Sequence, residues 1–204
     1  KIPLIAKFAK KSTRRFAGVL ELFSELDVVG SIGRRKGLAV LQEAGLKSPF
    51  SSIRADIKKT AYASYWAELV YDWMEENQRQ TRLYHLLKHV LGALDEGHTP
   101  QEVLSILFQV RFLDMSGHRP NFNYCCRCRT PLEKLDHDTL GFDIVSGGIK
   151  CRRCATAQTG SISLSRGTAK QLLWLAQGAL DKAGRIRFTP RAIRETLEFL
   201  EAFV

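Results

Sequence analysis

Four cysteines near the middle of the chain are spaced as metal ligands. Cys125 and Cys128 form one CxxC pair, and Cys151 and Cys154 form a second pair after a gap of twenty-two residues. Two such pairs can bring four thiolates to one point, and a tetrahedral set of sulfur ligands is the arrangement that Zn²⁺ prefers. The spacing therefore predicts one structural zinc ion, which contributes to folding rather than to chemistry.

Four alternative interpretations of these thiols stay open. Redox-active CxxC pairs usually stand alone at a helix start. A catalytic zinc needs an open coordination position, for which His137 would have to displace a cysteine, although we interpret His137 as a surface residue. Cys126 could replace Cys125 in a shorter C-x-C pair. An iron–sulfur cluster would accept the same four thiolates.

The segment between the two pairs predicts a small sheet. GFDIVSGGIK, residues 141–150, is typical of a two-stranded hairpin that turns at Gly147 and Gly148, as in zinc ribbons. Four arginines lie inside or beside the pairs: Arg127, Arg129, Arg152 and Arg153. They can stabilise the charged cluster, contact phosphate or simply be solvated.

Helical periodicity surrounds this segment on both sides. Apolar residues three and four positions apart predict five helices, over residues 51–76, 82–96, 99–117, 165–183 and 190–203. In the first helix the predicted buried positions are Ile53, Ile57, Ala61, Ser64/Tyr65, Leu69 and Trp73. Ser51 or Ser52 is the expected cap of this helix. The second helix should be apolar on one face, formed by Leu83, Leu86, Leu87, Val90, Leu91 and Leu94, and Gly97 should end it. Thr99 should cap the third helix, with Glu102 completing a capping box.

The first fifty residues predict strands instead. Short apolar or alternating runs occupy residues 4–8, 18–32 and 38–42. Val19 and Phe23 alternate in face with Leu20 and Leu22. Three strands alone leave open edges, and the chain starts at Lys1 without a methionine. We therefore expect a small β-barrel that begins upstream of Lys1.

Composition and charge limit the class of protein. The chain has 204 residues, of which 45% are hydrophobic and 25% charged, enough for one or two globular domains. Residues 1–50 carry ten Lys and Arg against four acids, out of a net charge of +10 for the chain. This local excess favours a polyanionic partner such as nucleic acid over a merely solubilising surface. Neither a membrane span nor a signal peptide is visible, and an odd number of cysteines favours reduced thiols in a cytoplasmic protein.

Several motifs together resemble the bacterial RecO recombination-mediator family. They are RRFAGVLELFSELDVV, IRADIKKTAYASYWAELV, LFQVRFLDMSGHRPNFNYCCRCR and GFDIVSGGIKCRRC, and their order and spacing match across essentially the whole chain. Two positions depart from the family pattern. Arg129 stands where a glycine is common, and Cys126 is an additional thiol.

The resemblance implies an α+β fold with two domains. Residues 1–49 would be part of an oligonucleotide-binding (OB-fold) β-barrel that binds DNA. Residues 50–204 would form an α-helical domain with a four-cysteine zinc ribbon inserted at about 121–160. The resemblance also implies binding of single- and double-stranded DNA, annealing of complementary strands, and partnership with RecR, the single-strand-binding protein with its acidic C-terminal tail, and RecA. Such a protein would act in the bacterial cytoplasm, at the nucleoid.

Two basic loops are the predicted DNA contacts. Neighbouring loops at strand ends can follow a phosphate backbone. Their residues are Lys7, Lys10, Lys11, Arg14, Arg15, Arg34, Arg35 and Lys36. Arg127, Arg129, Arg152 and Arg153 are weaker candidates. Phe8 and Phe16 could stack on bases, but alternation favours packing inside the barrel.

No catalytic motif accompanies these features, and the sequence predicts a protein that is not an enzyme. It contains no P-loop, GxSxG or HExxH motif, and the acidic pairs Asp136/Asp138 and Glu75/Glu76 are adjacent rather than convergent. Two alternatives to the mediator function remain. One is a protein-only adaptor that recognises an acidic peptide tail, and the other is a zinc-ribbon nuclease.

Overall fold

The chain packs into two compact units, Lys1–His98 and Thr99–Val204. The computed structural model describes residues 2–7, 16, 18–31, 38–76, 78–155, 161–183 and 186–203. Strands and helices occur in both units, so the predicted α+β class is confirmed. The predicted domain boundary at residue 49 stays a prediction, whereas compact packing divides the chain later, after three more helices.

Three strands form an open sheet in the first unit. They are β1 (Leu4–Ile5), β2 (Glu25–Ser31) and β3 (Ala39–Ser48), in the order β1-β3-β2. β3 pairs in parallel with β1 and antiparallel with β2, and the register of β2 shifts twice, between Glu25 and Leu26 and between Val29 and Gly30. Among the described residues this sheet does not close, and the predicted barrel is not confirmed.

The alternating run at residues 18–24 does not form a strand, contrary to the prediction. Gly18 and Phe23 both have positive φ, 66° and 64°. Val19 N donates to Phe16 O and Ser24 N donates to Glu21 O, each at 3.3 Å, which closes two tight turns. These turns prevent residues 18–24 from pairing with a neighbouring strand, and strand β2 begins only at Glu25.

The first predicted helix is two helices, α1 (Ser51–Ala55) and α2 (Ile57–Trp73). Asp56 has an extended backbone, and its side chain accepts hydrogen bonds from the amides of Lys58 and Lys59. Asp56 is therefore the N-cap of α2, whereas neither predicted serine caps α1 through its side chain.

The break at Asp56 changes which face of α2 is buried. Ala63 and Trp66 are fully buried, whereas Ile57, predicted to be buried, is 82% exposed. The predicted positions Ala61, Ser64 and Tyr65 are exposed as well. A periodicity counted through a break assigns the wrong face, because the second helix starts with its own rotation.

Helix α3 (Thr81–Glu96) agrees with its predicted bounds and face. Leu83, Leu86, Val90, Leu91 and Leu94 are buried, and Gly97 ends the helix with a φ of 75°.

Polar groups tie the three helices of this unit together. Ser52 N donates to Asp95 Oδ1 at 2.8 Å, and Lys59 Nζ donates to Asp95 O at 3.0 Å. The Lys59 ammonium thus lies at the carbonyl end of α3, where the helix dipole favours a cation.

Helix α4 (Gln101–Met115) is the centre of the second unit. Ten of its fifteen residues are buried, including every residue from 103 to 110. Its N-cap is Pro100 and no side chain caps it, so the predicted Thr99 capping box is wrong. Burial on nearly all sides is typical of a helix enclosed by its neighbours.

The remaining elements of this unit are a second sheet and three helices. Strands β4 (Thr139–Asp143), β5 (Gly148–Lys150) and β6 (Ser161–Ser165) form an antiparallel sheet in the order β5-β4-β6. Helices α5 (Arg166–Gln177), α6 (Leu180–Ala183) and α7 (Pro190–Phe203) follow. The predicted helix over 165–183 is divided at Gly178, whose N–H donates to Trp174 O at 2.7 Å.

Candidate metal centre

The four predicted ligands lie together. One sulfur atom each from Cys125, Cys128, Cys151 and Cys154 falls within 4.8 Å of the others, and none of the cysteines forms a disulfide. Cys125 and Cys151 are buried, Cys154 is half-buried and Cys128 is exposed. Cysteine is the donor that soft or borderline metal ions select, and four of them complete a coordination shell.

The spacing of the sulfurs fits a small tetrahedral ion. Cys128 Sγ and Cys151 Sγ are 3.7 Å apart. A tetrahedron with metal–sulfur bonds of ~2.3 Å has sulfur–sulfur edges of ~3.8 Å. The set of donors is closed, since four thiolates leave no position for a substrate or water, and closed sites are structural rather than catalytic.

Backbone hydrogen bonds hold the first CxxC turn against strand β5. Cys126 N donates to Ile149 O at 2.8 Å, and Cys125 N donates to Thr130 O at 2.9 Å. The preceding segment is fixed in the same way, because Asn121 N donates to Gly147 O at 2.7 Å. The first turn is thereby aligned with the strand that leads directly into the second turn.

Two glycines permit this close approach. Gly147 has a φ of 61° in the turn between β4 and β5, where a residue with a Cβ would be strained. At Gly148 an added Cβ would lie 3.1 Å from Cys126 Cβ and 3.4 Å from Asn121 Nδ2. The predicted hairpin is confirmed, and its glycine pair also serves the metal centre, which the sequence did not indicate.

The thiols differ in the ease with which they lose a proton. The pKa of Cys128 is lowered to about 6, first of all by the Thr130 hydroxyl 3.2 Å from its Sγ. Burial raises the pKa of Cys125, but amides of Cys128, Cys151 and Arg127 outweigh burial and lower it. The pKa of Cys154 is raised to about 12 by its hydrogen bond to Cys151 and by burial. Four thiolates at one point repel one another, so a bound cation would stabilise the deprotonated cluster, and metal binding would release protons. Thr130 is a functional residue that the sequence analysis missed.

Neither Cys126 nor His137 belongs to the cluster. Cys126 is half-buried beside Gly148, and His137 is exposed. The group of potential ligands found in the described part of the chain contains the four predicted cysteines and neither of these residues. The shorter C-x-C pair and the histidine-ligated catalytic site are therefore not supported.

Aromatic rings join this sheet to helix α7. Phe142 on β4 and Phe122 both contact Phe199, with ring centroids 4.7 Å and 5.6 Å apart. Phe203 lies 5.5 Å from Phe142 on the same helix face as Phe199. The small sheet thus completes its core with residues from the helical part of the unit.

A buried ion pair stiffens the hairpin. Lys150 Nζ lies 2.5 Å from Asp143 Oδ2, and Lys150 is only 6% exposed. The Lys150 hydrogen bond lowers the pKa of Asp143 to about 2. Asp143 is the last residue of β4 and Lys150 is the last residue of β5, so the pair links the two strands immediately before Cys151.

Only some of the predicted DNA contacts lie among the described residues. Arg127, Arg129, Arg152 and Arg153 are exposed on the two CxxC turns, and Lys7 is exposed near the start of the chain. The other basic-loop residues, Lys10, Lys11, Arg14, Arg15, Arg34, Arg35 and Lys36, lie outside the described residues, as does Phe8. Phe16 is only 5% exposed, which agrees with a packing role.

Fold and site together define an α+β protein with a ribbon of four clustered cysteines that can hold a metal ion. Residues 54–204 match the family model for the C-terminal part of recombination protein O. The whole chain is 45% identical to the DNA repair protein RecO of Desulfosudis oleivorans and covers 80% of that protein. It is 41% identical to the RecO of Desulfatibacillum aliphaticivorans over 98% of this chain and 78% of the relative, and 34% identical to that of Listeria monocytogenes over 98% and 74%. The chain belongs to the RecO family of DNA repair proteins.

Family membership confirms two predictions. The family is not one of enzymes, and its general role is DNA repair. Among the residues that the structure describes, every helix is too short or too polar to span a lipid bilayer.

Proposed function

We propose that the protein is a recombination mediator. It binds single- and double-stranded DNA, anneals complementary strands and, together with RecR, helps to load RecA onto DNA coated by single-strand-binding protein. The observation that carries this proposal is the similarity along the whole chain to proteins named DNA repair protein RecO.

DNA binding is assigned to the basic first quarter of the chain. Residues 1–50 have an excess of six positive charges, which is more than half of the net +10. Each phosphate that a lysine or arginine neutralises releases counterions, so binding should weaken steeply with salt. We assign these residues to part of an OB-fold barrel, a fold in which a basic groove commonly holds single strands.

Annealing requires no acid–base chemistry. Cations on the protein reduce repulsion between two strands, and base pairing supplies the free energy. This agrees with a chain whose cysteine cluster is closed and whose family is not enzymatic.

The four cysteines would hold Zn²⁺, which would supply a structural cross-link between the two CxxC turns. Amides of Arg127, Cys128 and Cys151 and the Thr130 hydroxyl orient and stabilise the thiolates. The same four thiolates could also hold an iron–sulfur cluster. The distance of 3.7 Å between Cys128 Sγ and Cys151 Sγ favours a single ion instead.

Fluorescence-monitored annealing of complementary oligonucleotides tests the proposal. The full chain should accelerate annealing, and added salt should suppress the acceleration. RecR and single-strand-binding protein should modify the rate when added. A variant with Ala at Lys10, Lys11, Arg14 and Arg15 should bind more weakly with a flatter salt dependence. No DNA binding by the unmodified chain would overturn the proposal.

An adaptor for an acidic peptide is a second candidate, favoured by an apolar groove in the first unit. The groove has a volume of about 500 Å³ and is lined mainly by Leu22, Phe23, Leu26, Phe50, Leu87 and Leu91. Lys88 stands at this groove, although it is paired with Glu25 at 2.7 Å. A fluorescent acidic peptide with the sequence of the tail of single-strand-binding protein should bind here. Leu87→Asp should abolish peptide binding and leave DNA binding unchanged.

A further inference from the structure

Four arginines lie inside or beside the two CxxC turns of the ribbon. Arg127 and Arg153 occupy the same position in their respective CxxC turns, while Arg129 follows Cys128 and Arg152 follows Cys151. All four are exposed. Because the four sulfurs lie within 4.8 Å, the two turns that carry these arginines are held side by side. We call these four residues the ribbon tip.

The ribbon tip carries more positive charge than the metal centre requires. A divalent ion with four thiolates has a net charge of about −2, which about two guanidinium groups would balance. In the described part of the chain, none of the four arginines forms an ion pair with a carboxylate; the observed pairs use other residues. The four guanidinium groups are therefore not neutralised by carboxylates of the described residues.

Arg129 has a backbone conformation that is unfavourable for a residue with a side chain. Its φ is 62°, in the left-handed region that favours glycine. A residue with a Cβ is strained there. The conformation is fixed because Arg129 N donates to Cys125 O at 2.9 Å, closing the turn around the metal ligands.

The Arg129 guanidinium is preorganised by Tyr124. Its central carbon lies 4.8 Å from the centre of the Tyr124 ring, within the range of a cation–π contact. Tyr124 is half-buried, while Arg129 is exposed. An immobilised planar cation is a good surface for an unstacked base, since little side-chain entropy remains to be lost on binding.

We propose that the ribbon tip is a second binding surface for single-stranded DNA. Arg127, Arg152 and Arg153 contact phosphates, and the guanidinium of Arg129, supported by Tyr124, stacks on one base. A single strand is the partner because the faces of its bases are free to stack on a planar cation, whereas a duplex keeps its base faces stacked on one another. This inference rests on the proposed function, since it requires a protein that binds DNA.

Arg129→Gly is the most informative substitution. Glycine suits a φ of 62°, so the turn and the metal centre should be retained, while the charge and the stacking surface are removed. Arg194→Ala is the matched control, because it removes one exposed positive charge from helix α7 outside the ribbon tip. Metal content is measured for every variant to confirm that the ribbon is intact.

Fluorescence anisotropy with an oligothymidylate over a range of salt concentrations tests the proposal. Arg129→Gly should bind about tenfold more weakly, while the slope of log K against log salt should change little, because Arg129 stacks on a base and neutralises no phosphate. Arg194→Ala should change the affinity less than about twofold. An abasic strand with the same number of phosphates should lose less affinity than oligothymidylate when Arg129 is replaced. Equal losses on both strands would overturn the stacking role.

A variant of the whole ribbon tip separates this inference from the proposed function. Arg127→Ala, Arg129→Gly, Arg152→Ala and Arg153→Ala together should reduce the salt slope by about 2, because three phosphate contacts are lost. If this fourfold variant loses its metal, the DNA affinities of the single variants Arg129→Gly and Arg153→Ala test the proposal instead. An unchanged affinity and slope, in a chain that still loses binding when its N-terminal basic loop is neutralised, would overturn the ribbon surface alone. No DNA binding by the unmodified chain would overturn both.

Discussion

The Phe142 and Phe199 rings meet edge to face, with centroids 4.7 Å apart and an interplanar angle of 70°. Phe142 belongs to the metal ribbon and Phe199 to helix α7, and both are fully buried. This contact therefore makes the ribbon and the helix parts of one core. A ribbon of two short hairpin strands is too small to bury a hydrophobic core alone. Its core is therefore completed by side chains of the helix.

Replacing Phe199 with alanine should destabilise the second unit by about 3–5 kcal/mol, because it leaves a cavity between the sheet and α7. Urea unfolding followed by circular dichroism measures the change. Val145→Ala is the control on the same ribbon, since Val145 is 97% exposed and should change stability by less than about 0.5 kcal/mol. Equal effects of the two substitutions would contradict the shared core.

Cys125→Ser should lower the metal content, whereas Cys126→Ser should leave it unchanged. Cys125 is one of the four clustered thiols, whereas Cys126 is outside the cluster. Elemental analysis should find about one zinc per chain in the unmodified protein and in Cys126→Ser, and little in Cys125→Ser. Iron in place of zinc, or retention of the metal by Cys125→Ser, would refute the assignment.

Gly148→Ala should weaken zinc binding about tenfold, because the new methyl group would press on Cys126 Cβ at 3.1 Å and displace the first CxxC turn. Competition with a chromogenic chelator measures the affinity. Gly141→Ala is a suitable comparison, since its Cβ would meet its nearest neighbour at an ordinary 3.7 Å. The idea fails if both alanine variants hold zinc as tightly as the parent.

Glu195 should contribute stability that depends on pH. Burial alone would raise the pKa of its carboxyl, but hydrogen bonds from Thr168, Ser165 and Arg191 lower it from 4.5 to about 2. A lowered pKa stabilises the folded state above the unfolded value, and this stabilisation is lost as the pH falls from about 4.5 to 2.

Glu195→Gln should therefore be less stable than the parent by about 1–3 kcal/mol at pH 6. The difference should shrink steadily below pH 4.5. Chemical unfolding of both proteins across this pH range gives the difference directly, and effects common to both, such as protonation of the thiols, cancel. A difference that does not vary with pH would mean that the carboxylate charge contributes nothing.

The sequence predicted those features that depend on local spacing. The CxxC pairs, the hairpin and the buried face of α3 each follow from a fixed period or motif, and the structure confirms them. Gly97 at the end of α3 is similarly local, because only a residue without a Cβ readily takes its φ of 75°.

The errors arose where a single residue changes the conformation of the chain. Asp56 breaks what looks like one continuous helix, and positive φ at Phe23 interrupts what looks like one strand. The Thr130 hydroxyl contacts Cys128 Sγ and the Tyr124 ring contacts Arg129, and neither contact can be read from sequence spacing. Strand β6 was also missed, since only the ribbon sheet gives Ser161–Ser165 a partner.

The ring contact between the ribbon and α7 has a consequence for synthesis on the ribosome. Cys154 emerges from translation before Phe199 and Phe203, which lie in the last helix described. At 5–20 residues per second, the intervening segment takes roughly 2–10 s to make. During that interval the nascent chain has all its metal ligands but not the helix that completes the ribbon core. Capture of the ion and closure of the core are thus separated in time, and the ion can organise the ribbon before its hydrophobic support exists.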